Sequence, residues 1–249
     1  MSSEPGQKDS TGYATPCNSR VASAGSELVN VMAFTATYNR PEMALMCALQ
    51  MERQTIRPHH FVFVNGEPDY SGLLNRFSAS DVESGKRYHQ HYNHINAINI
   101  AKLDKYDLFL KIDDDDFYGR TYVENTVNSW LKHGWDFSGG YSDGVLVDGV
   151  YKTIKIDSLG ATEKDRELGI NMAMPSTYAF SRKAIDVILS LDPSIKTWED
   201  QQWRWALHEA GMQCFIRDTA GFSYNKHSSN TSRPTVGRRR VRFSALSSQ

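Results

Sequence analysis

The stretch LFLKIDDDDFYG, residues 108–119, places four consecutive aspartates directly after a short apolar run. Four like charges in a row repel one another, so a packed core does not account for them. Three explanations are open at this point: a divalent-cation site, a solvated loop and a disordered acidic segment. The rest of the sequence has to decide between them.

The bulk composition is that of an ordinary soluble protein with one core. The chain has 249 residues, of which 40% are hydrophobic and 23% are charged, and its formal net charge is −1. A chain of this length can bury one full core, with or without an appendage. The nearly balanced charge predicts neither a nucleic-acid partner nor a membrane partner.

The cysteines and the lack of long apolar segments indicate in which cellular compartment the protein is expected. The three cysteines, Cys17, Cys47 and Cys214, are far apart and odd in number, which argues against a disulfide scaffold and fits a reducing environment. No stretch approaches the ~20 apolar residues of a membrane span. The first twenty residues lack the apolar centre of a signal peptide. We therefore expect a cytoplasmic protein without a transmembrane segment.

Strand-like and helix-like segments alternate along the chain. Apolar runs rich in strand formers predict strands at 29–36, 61–65 and 108–112. Helical spacing of apolar residues predicts further elements, namely helices over 41–54, 93–103, 122–131, 182–191 and 199–211. Alternation of this kind, with continuously apolar strands, predicts an α/β fold whose sheet is covered on both faces.

Three polar clusters follow predicted strands: residues 37–40, Asn65 and residues 113–116. In open α/β sheets, ligands bind beyond the carboxyl ends of the strands. The acidic run therefore lies at the mouth of a predicted cleft, which disfavours a merely solvated loop.

The residues that follow the acidic run exclude some kinds of aspartate-rich site. In an EF-hand loop starting at Asp113, Phe117 and Tyr118 would occupy positions 5 and 6, where a ligand and a glycine belong. A phosphatase-type aspartate nucleophile lacks its usual partner motifs. An all-oxygen site for Mg²⁺ or Mn²⁺ that also holds a ligand's phosphate oxygens fits the run.

From about residue 29 to residue 229, the chain resembles the family 2 inverting glycosyltransferases with the GT-A fold. VMAFTATYNRPE (31–42) resembles the opening strand and nucleotide-binding loop, and RQTIRPHHFVFVNGEP (53–68) resembles the second strand with its preceding Gln-Thr. LFLKIDDDDFYG (108–119) resembles the acidic DxD element. TWEDQQW (197–203) resembles the Glu-Asp pair that carries the catalytic base. The resemblance implies a Rossmann-like α/β domain with a mixed central sheet, spanning 28–228.

The resemblance also implies a nucleoside-diphosphate sugar donor, with UDP or dTDP favoured, and Mn²⁺ or Mg²⁺ as cofactor. Asp113 and Asp115 would form the DxD pair at the metal, with Asp115 in direct contact. Asp114 would contact the ribose. Asp116 could replace a member of the pair, because a run of four leaves the register open.

Further positions carry over to the nucleotide-sugar site. Thr37 and Tyr38 would line the nucleoside pocket, and Arg40 belongs to the same loop. Asn65 stands where the family usually has an aspartate that reads the uracil edge, and an amide can still pair with uracil or thymine. His94 stands about where the family offers Lys or Arg; a nucleotide contact and a turn cap are its two open roles.

The catalytic base would be Asp200, with Glu199 beside it. Acidic residues are also favoured in the first turn of any helix, so position alone does not assign that role. His227 follows the last apolar strand and would complete the metal site; a structural role is the alternative.

Two polar tails flank the predicted domain. Residues 1–27 are predicted to be disordered because they have almost no large apolar side chains. Residues 229–249 form a second flexible tail, whose basic centre at 238–242 has three interpretations: a solvated tail, a lid over the donor diphosphate, or peripheral contact with anionic lipid. Nucleic acid ranks last.

The sequence thus predicts a metal-dependent inverting glycosyltransferase of the hexosyltransferase type. Its acceptor would be a carbohydrate, a glycolipid or a small molecule, as in polysaccharide biosynthesis. Two other classes stay open. A sugar nucleotidyltransferase would need a glycine-rich phosphate-binding signature, which FTATYNRPEM (34–43) lacks. A non-catalytic nucleotide- or carbohydrate-binding module is disfavoured by the intact Asp200 and acidic run, and a turnover measurement would decide.

Overall fold

The computed structural model describes most of the predicted domain, and the residues described are 29–65, 78–81, 90–100, 103–141, 144–147, 150–153, 173–195 and 199–226. The two predicted tails and His227 lie outside these residues.

The described chain contains five α-helices and eleven strands. The α-helices are α1 (Pro41–Glu52), α2 (Gln90–Ile100), α3 (Tyr122–His133), α4 (Arg182–Leu189) and α5 (Glu199–Glu209). The strands are β1 (Val31–Tyr38), β2 (His59–Asn65), β3 (Ser78–Asp81), β4 (Leu108–Lys111), β5 (Phe117–Tyr118), β6 (Phe137–Gly139), β7 (Gly144–Val147), β8 (Val150–Thr153), β9 (Ala179–Ser181), β10 (Cys214–Ile216) and β11 (Phe222–Lys226). Short 3₁₀ turns occupy Leu103–Lys105 and Pro175–Thr177.

Seven strands form a central sheet in the order β10-β6-β9-β4-β1-β2-β3. Neighbouring strands run parallel except β9, which is antiparallel to both β4 and β6. The predicted mixed α/β sheet is therefore confirmed. Because β1, β2 and β4 are parallel, their carboxyl ends meet at one edge.

Both faces of this sheet are covered, as the apolar strands predict. On β1, Met32 and Phe34 join one buried cluster, while Val31 and Ala33 join another. The first cluster includes residues of α2, α4 and α5, and the second includes residues of α1 and α3. The alternation along β1 follows the two-residue period of a strand.

Strand β1 and helix α2 each extend beyond a predicted end, because regular structure continues past the apolar residues that predicted it. β1 continues two residues beyond the predicted end at residue 36, because Thr37 and Tyr38 pair with Val64 and Asn65 of β2. Helix α2 begins at Gln90, three residues before its predicted start. Its first turn contains polar side chains, such as the buried His91, that the apolar period does not register.

A second, four-stranded sheet has the order β5-β11-β7-β8 and stands next to the acidic run. Its first two strands approach closely through two glycines, with the amide of Gly119 donating to the carbonyl of Gly221 at 2.7 Å. A Cβ atom at position 119 would lie 3.0 Å from that carbonyl oxygen. This contact brings β11 against the loop that follows β4.

Candidate active site

The acidic run begins where β4 ends, at the carboxyl edge of the central sheet. The amide of Asp113 donates to the hydroxyl of Tyr118 at 2.9 Å, and that hydroxyl donates to the carbonyl of Ser176 at 3.0 Å. Tyr118 is 2% exposed, so both bonds are shielded from water. The buried phenol thereby fixes the start of the run against the turn before β9.

Exposure separates the four aspartates into two pairs. The side chains of Asp113 and Asp115 are 23% and 12% exposed. Asp114 and Asp116 are buried. Alternate members of the run therefore face outward, so the structure offers Asp113 and Asp115 as the pair that a ligand can reach.

Arg40 clamps the middle of the run. Its Nη2 lies 2.7 Å from Asp114 Oδ1, and its Nη1 donates to Asp115 Oδ2 at 2.8 Å. The turn that delivers Arg40 passes through Asn39, whose φ of 52° is left-handed, a conformation that asparagine tolerates better than most residues. The predicted nucleotide-binding loop and the acidic run thus form one site.

Thr37 makes a second link between β1 and the run. Its hydroxyl donates to Asp114 Oδ2 at 2.7 Å, and Thr37 is itself buried. Burial raises the pKa of Asp114 to about 7, against the opposing effects of Arg40 and Thr37. Thr37 and Asp114 were predicted to contact the nucleoside; here they bond to each other.

Asp116 faces the protein interior. Its Oδ1 accepts from the backbone amide of Asn225 on β11 at 2.8 Å. Burial raises its pKa well above the usual carboxyl range, and the charges of Asp113 and Asp115 raise it further. This aspartate joins the second sheet to the run, and its burial does not favour the alternative in which it replaces a metal-binding neighbour.

Lys111, the last residue of β4, connects the run to helix α5. Its Nζ donates to Asp113 Oδ1 at 2.6 Å and lies 3.7 Å from Asp200 Oδ1. The lysine side chain is 1% exposed. Burial alone would lower the pKa of Lys111, but Asp113, Asp200 and Glu199 raise it above its ordinary value.

The predicted base and its neighbour open helix α5. Burial raises the pKa of Glu199 to about 7, and the adjacent Asp200 adds to the increase. Burial also raises the pKa of Asp200, while Lys111 opposes the shift and Asp113 adds to it. A carboxyl group with a raised pKa is a better proton acceptor, as general-base catalysis requires.

His94 lies in α2 beneath the site and is completely buried. Its ring packs edge-on against Phe34 and Trp203, with centroid separations of 5.7 Å and 5.5 Å. Burial lowers the pKa of His94 well below its ordinary value, and Lys111 contributes, so the ring is neutral. Neither ring nitrogen has a hydrogen-bond partner among the described residues, so no turn cap is seen there. The predicted contact with a nucleotide stays a prediction.

Tyr38 and Asn65 end the two neighbouring strands in register. Tyr38 is partly exposed at the same edge as the acidic run. The backbone therefore places the two positions predicted for base and nucleoside recognition side by side.

The Gln-Thr element of the sequence holds the loop that follows the run. The side-chain Nε2 of Gln54 donates to the carbonyl of Gly119 at 2.9 Å, and its Oε1 accepts from the backbone N–H of Val123 at 3.1 Å. On α1, Gln50 accepts from the amide of Tyr118 at 2.6 Å. Thr55 donates to Glu124 at 2.8 Å. These bonds attach α1 and the turn that follows it to the segment after the run and to the first turn of α3.

Sequence reasoning missed Lys111, which it placed in a buried strand without a role. A charged residue inside an otherwise apolar strand was the available signal, because a buried charge requires a partner. Ser176 was also missed, since the segment before β9 contains only generic residues. Nothing in its sequence indicated that its carbonyl would receive the hydroxyl of Tyr118.

The carboxylate oxygens of the acidic run suit a hard divalent cation, because such oxygens are the ligands that Mg²⁺ and Mn²⁺ prefer. Within the described residues, no group of three or more His, Cys, Asp and Glu side chains is arranged to hold a metal ion. Within the acidic run, Asp113 and Asp115 supply the two accessible carboxylates, and each forms an ion pair, with Lys111 and Arg40 respectively. The predicted third ligand, His227, lies outside the described residues.

None of the described helices has the length and apolar character needed to cross a bilayer.

Comparison with known proteins bears on the fold. No family model and no curated protein matches the chain. Solved structures do match, among them three of TarS from S. aureus, a glycosyltransferase.

Residues 1–349 of TarS align with a TM-score of 0.57 and 13% identity, covering 79% of this chain and 60% of that chain. The same region in complex with UDP-GlcNAc gives a TM-score of 0.61 and 14% identity, covering 81% and 60%. A further crystal structure of TarS gives 0.54 and 12%, covering 80% and 37%. The chain thus spans less than two thirds of each of these structures. At such identities the similarity shows the fold, and the predicted GT-A-like fold is confirmed.

Proposed function

We propose that the chain is a metal-dependent inverting glycosyltransferase that moves a sugar from a nucleoside-diphosphate sugar to an acceptor hydroxyl. One observation carries the proposal: Asp113 of the acidic run and Asp200 of α5 both lie next to the Lys111 ammonium, at 2.6 Å and 3.7 Å. This proximity of two carboxylates that are far apart in the sequence supports a single site, in which Asp113 would bind the donor and Asp200 would act as the base.

The donor would bind at the edge of the central sheet where β1, β2 and β4 end. Asp113 and Asp115 would hold Mn²⁺ or Mg²⁺, which supplies Lewis-acid neutralisation of the leaving diphosphate. Tyr38 and Asn65, whose positions pair in register at the end of β1 and β2, would meet the nucleoside. Thr37, Asp114 and Arg40 keep the run in place. The complex of a structural neighbour with UDP-GlcNAc supports a UDP-sugar as donor.

Acceptor activation falls to Asp200. An alcohol becomes a good nucleophile only as its proton is removed, and a positioned base typically contributes about 10²–10⁴-fold in rate. The raised pKa of Asp200 and its partly exposed side chain suit that task. Attack from the face opposite the leaving diphosphate would invert the anomeric centre.

A donor screen tests the proposal. Purified protein is incubated with UDP-, dTDP- and GDP-sugars in Mn²⁺ or Mg²⁺, and release of the nucleoside diphosphate is measured with water or supplied sugars as acceptor. Turnover of at least one donor, abolished by EDTA and restored by Mn²⁺, supports the proposal. Tight binding of a donor without release would instead indicate a non-catalytic binding module.

A further inference from the structure

The candidate site has a buried lysine, Lys111, at a strand position where the fold does not require a charged side chain. Lys111 is the last residue of β4, is 1% exposed and pairs in register with Phe34 of β1. Moving an ammonium group out of water is expensive, so a lysine is almost never fully buried unless it is paired. An apolar residue would fill this strand position without that penalty.

The partners of Lys111 come from two separate elements. Asp113 begins the acidic loop after β4 and receives a hydrogen bond of 2.6 Å from Lys111 Nζ. Asp200 lies in the first turn of α5, and its Oδ1 is 3.7 Å from the same nitrogen. Both carboxylates therefore take their position from one buried cation.

The geometry distinguishes the two oxygens of Asp200. Oδ1 is buried and has no hydrogen-bond partner among the described residues, and it lies 3.7 Å from the Lys111 ammonium. Arg204, in the same helix, also favours the charged form of Asp200, but its effect is smaller than that of Lys111. The side chain as a whole is 25% exposed, so its accessible surface lies on its other atoms. This leaves Oδ2 as the oxygen that can meet an acceptor.

We propose that Lys111 is a positioning residue that orients Asp200 and fixes it relative to Asp113, so that base and donor site act as a unit. The inference rests on the proposed function, because it assigns Lys111 a role in that reaction. Lys111 touches neither donor nor acceptor in this role. It acts through Asp200, and its removal allows the base to turn away from the acceptor.

This role differs from that of an ordinary buried ion pair in its effect on turnover. A purely structural lysine would lower stability and would reduce activity independently of Asp200. A residue that acts through Asp200 has no further effect once Asp200 can no longer accept a proton. The two roles are separated by a double-mutant cycle.

The cycle compares the wild-type protein, Lys111→Met, Asp200→Asn and the double variant. Release of UDP from UDP-GlcNAc in Mn²⁺, or from whichever donor the screen finds active, gives kcat. UDP affinity in Mn²⁺ is measured by titration. We expect Lys111→Met to lower kcat by about 10²-fold, the loss typical of a misplaced reacting group. UDP affinity should fall as well, because Asp113 also loses its cation, so kcat is compared at saturating donor. The double variant should be no slower than Asp200→Asn.

Melting curves accompany each variant, because removing one partner of a buried pair can prevent folding. If Lys111→Met does not fold, Lys111→Gln takes its place in the cycle, since its amide can still donate to Asp113. Lys183→Met removes an exposed lysine, whose Nζ lies 3.4 Å from Asp136, and serves as the control that keeps wild-type turnover.

The outcomes separate this inference from the function on which it rests. Wild-type kcat in the Lys111 variant, or a double variant whose losses multiply, overturns the positioning role while Asp200→Asn remains impaired. A wild-type protein that turns over none of the screened donors overturns the proposed function itself.

Discussion

Arg40 and Asp114 form an ion pair with 2.7 Å between Nη2 and Oδ1, where the loop after β1 meets the loop after β4. The side chain of Asp114 is 1% exposed and that of Arg40 is 18% exposed. The same guanidinium reaches Asp115. One arginine therefore orders two of the four aspartates, and the repulsion within the run is offset from outside it.

Replacing Arg40 with glutamine should destabilise the fold and weaken nucleotide binding. The change leaves the buried Asp114 without its cation, and losing one partner of a buried pair costs up to about 3–5 kcal/mol. Because Arg40 is partly exposed, we expect about 1–3 kcal/mol, measured by urea unfolding at pH 7.5. UDP affinity, measured by titration in Mn²⁺, should fall as well.

The matched control is Arg57→Gln. Arg57 pairs with Glu52 at 3.2 Å, but its side chain is 42% exposed. Surface pairs typically contribute about 0–1 kcal/mol, so the free energy of unfolding should change by no more than that. Equal losses at both positions would show that the Arg40 clamp has no special importance.

Divalent-cation binding should depend on the outward-facing aspartates. Asp115→Ala removes one of the two accessible carboxylates while leaving the buried Asp114 and Asp116 in place. We expect Mn²⁺ to tighten UDP binding by the wild-type protein, measured by titration with and without EDTA. The variant should lose most of this effect. Equal affinity for UDP after EDTA, with full activity of Asp115→Ala, would exclude the metal assignment.

Gln54→Leu should loosen the loop that follows the acidic run. The substitution leaves the carbonyl of Gly119 and the amide of Val123 without their side-chain partners. Buried groups left unsatisfied cost about 1–3 kcal/mol each, so urea unfolding should show a loss in that range or above. Gln213→Leu, at an exposed position, is the control. A loss below about 0.5 kcal/mol at Gln54, the size typical of a surface substitution, would contradict the role assigned to it.

Stability should fall in mild acid because folding lowers the pKa of His60, a partly buried histidine. Burial lowers the pKa of His60 to about 3, whereas an unfolded histidine titrates near about 6.5. Below pH ~6.5 the unfolded chain therefore binds more protons, and the free energy of unfolding decreases by up to about 1.4 kcal/mol per pH unit. The decrease continues until the folded-state pKa is reached.

His60→Gln isolates this contribution. Glutamine can still hydrogen-bond to the Thr35 hydroxyl, which lies 2.8 Å from His60 Nε2, but it does not titrate. Urea unfolding between pH 7 and pH 4.5 should show a shallower slope than that of the wild-type protein. The exposed His208→Gln is the control. Identical slopes for His60→Gln and the wild-type protein would show that His60 titrates alike in both states.

The sheet and its ligand edge could be predicted because their signals are local. Continuous apolar runs mark β1, β2 and β4, and parallel strands bring their carboxyl ends together whatever the loops contain. The convergence of Arg40 with the acidic run follows from that topology alone. The end of β1 did not follow, since Thr37 and Tyr38 are held by pairing with β2 rather than by burial of apolar side chains.

Residues whose roles depend on distant contacts could not be predicted. Lys111 acquires its importance from Asp200, which belongs to a helix distant from it in the sequence. His94 carries a polar ring, yet the structure packs it against Phe34 and Trp203. The run of identical residues does not itself show which aspartates face outward. The family resemblance named Asp113 and Asp115, and these are the two that the structure leaves partly exposed.

The most direct test of the account is the turnover of Asp200→Asn beside the wild-type protein. UDP release from UDP-GlcNAc, or from another donor found active, is measured in Mn²⁺ together with UDP affinity and melting curves. Asparagine keeps the shape of the side chain but cannot accept the acceptor's proton. Glu199→Gln, one residue away in the same helical turn, is the matched control and should have a milder effect.

We predict that Asp200→Asn folds and binds UDP as the wild-type protein does, with kcat lower by about 10²–10⁴-fold. Turnover equal to that of the wild-type protein would contradict the account, because the base of the reaction would then lie elsewhere.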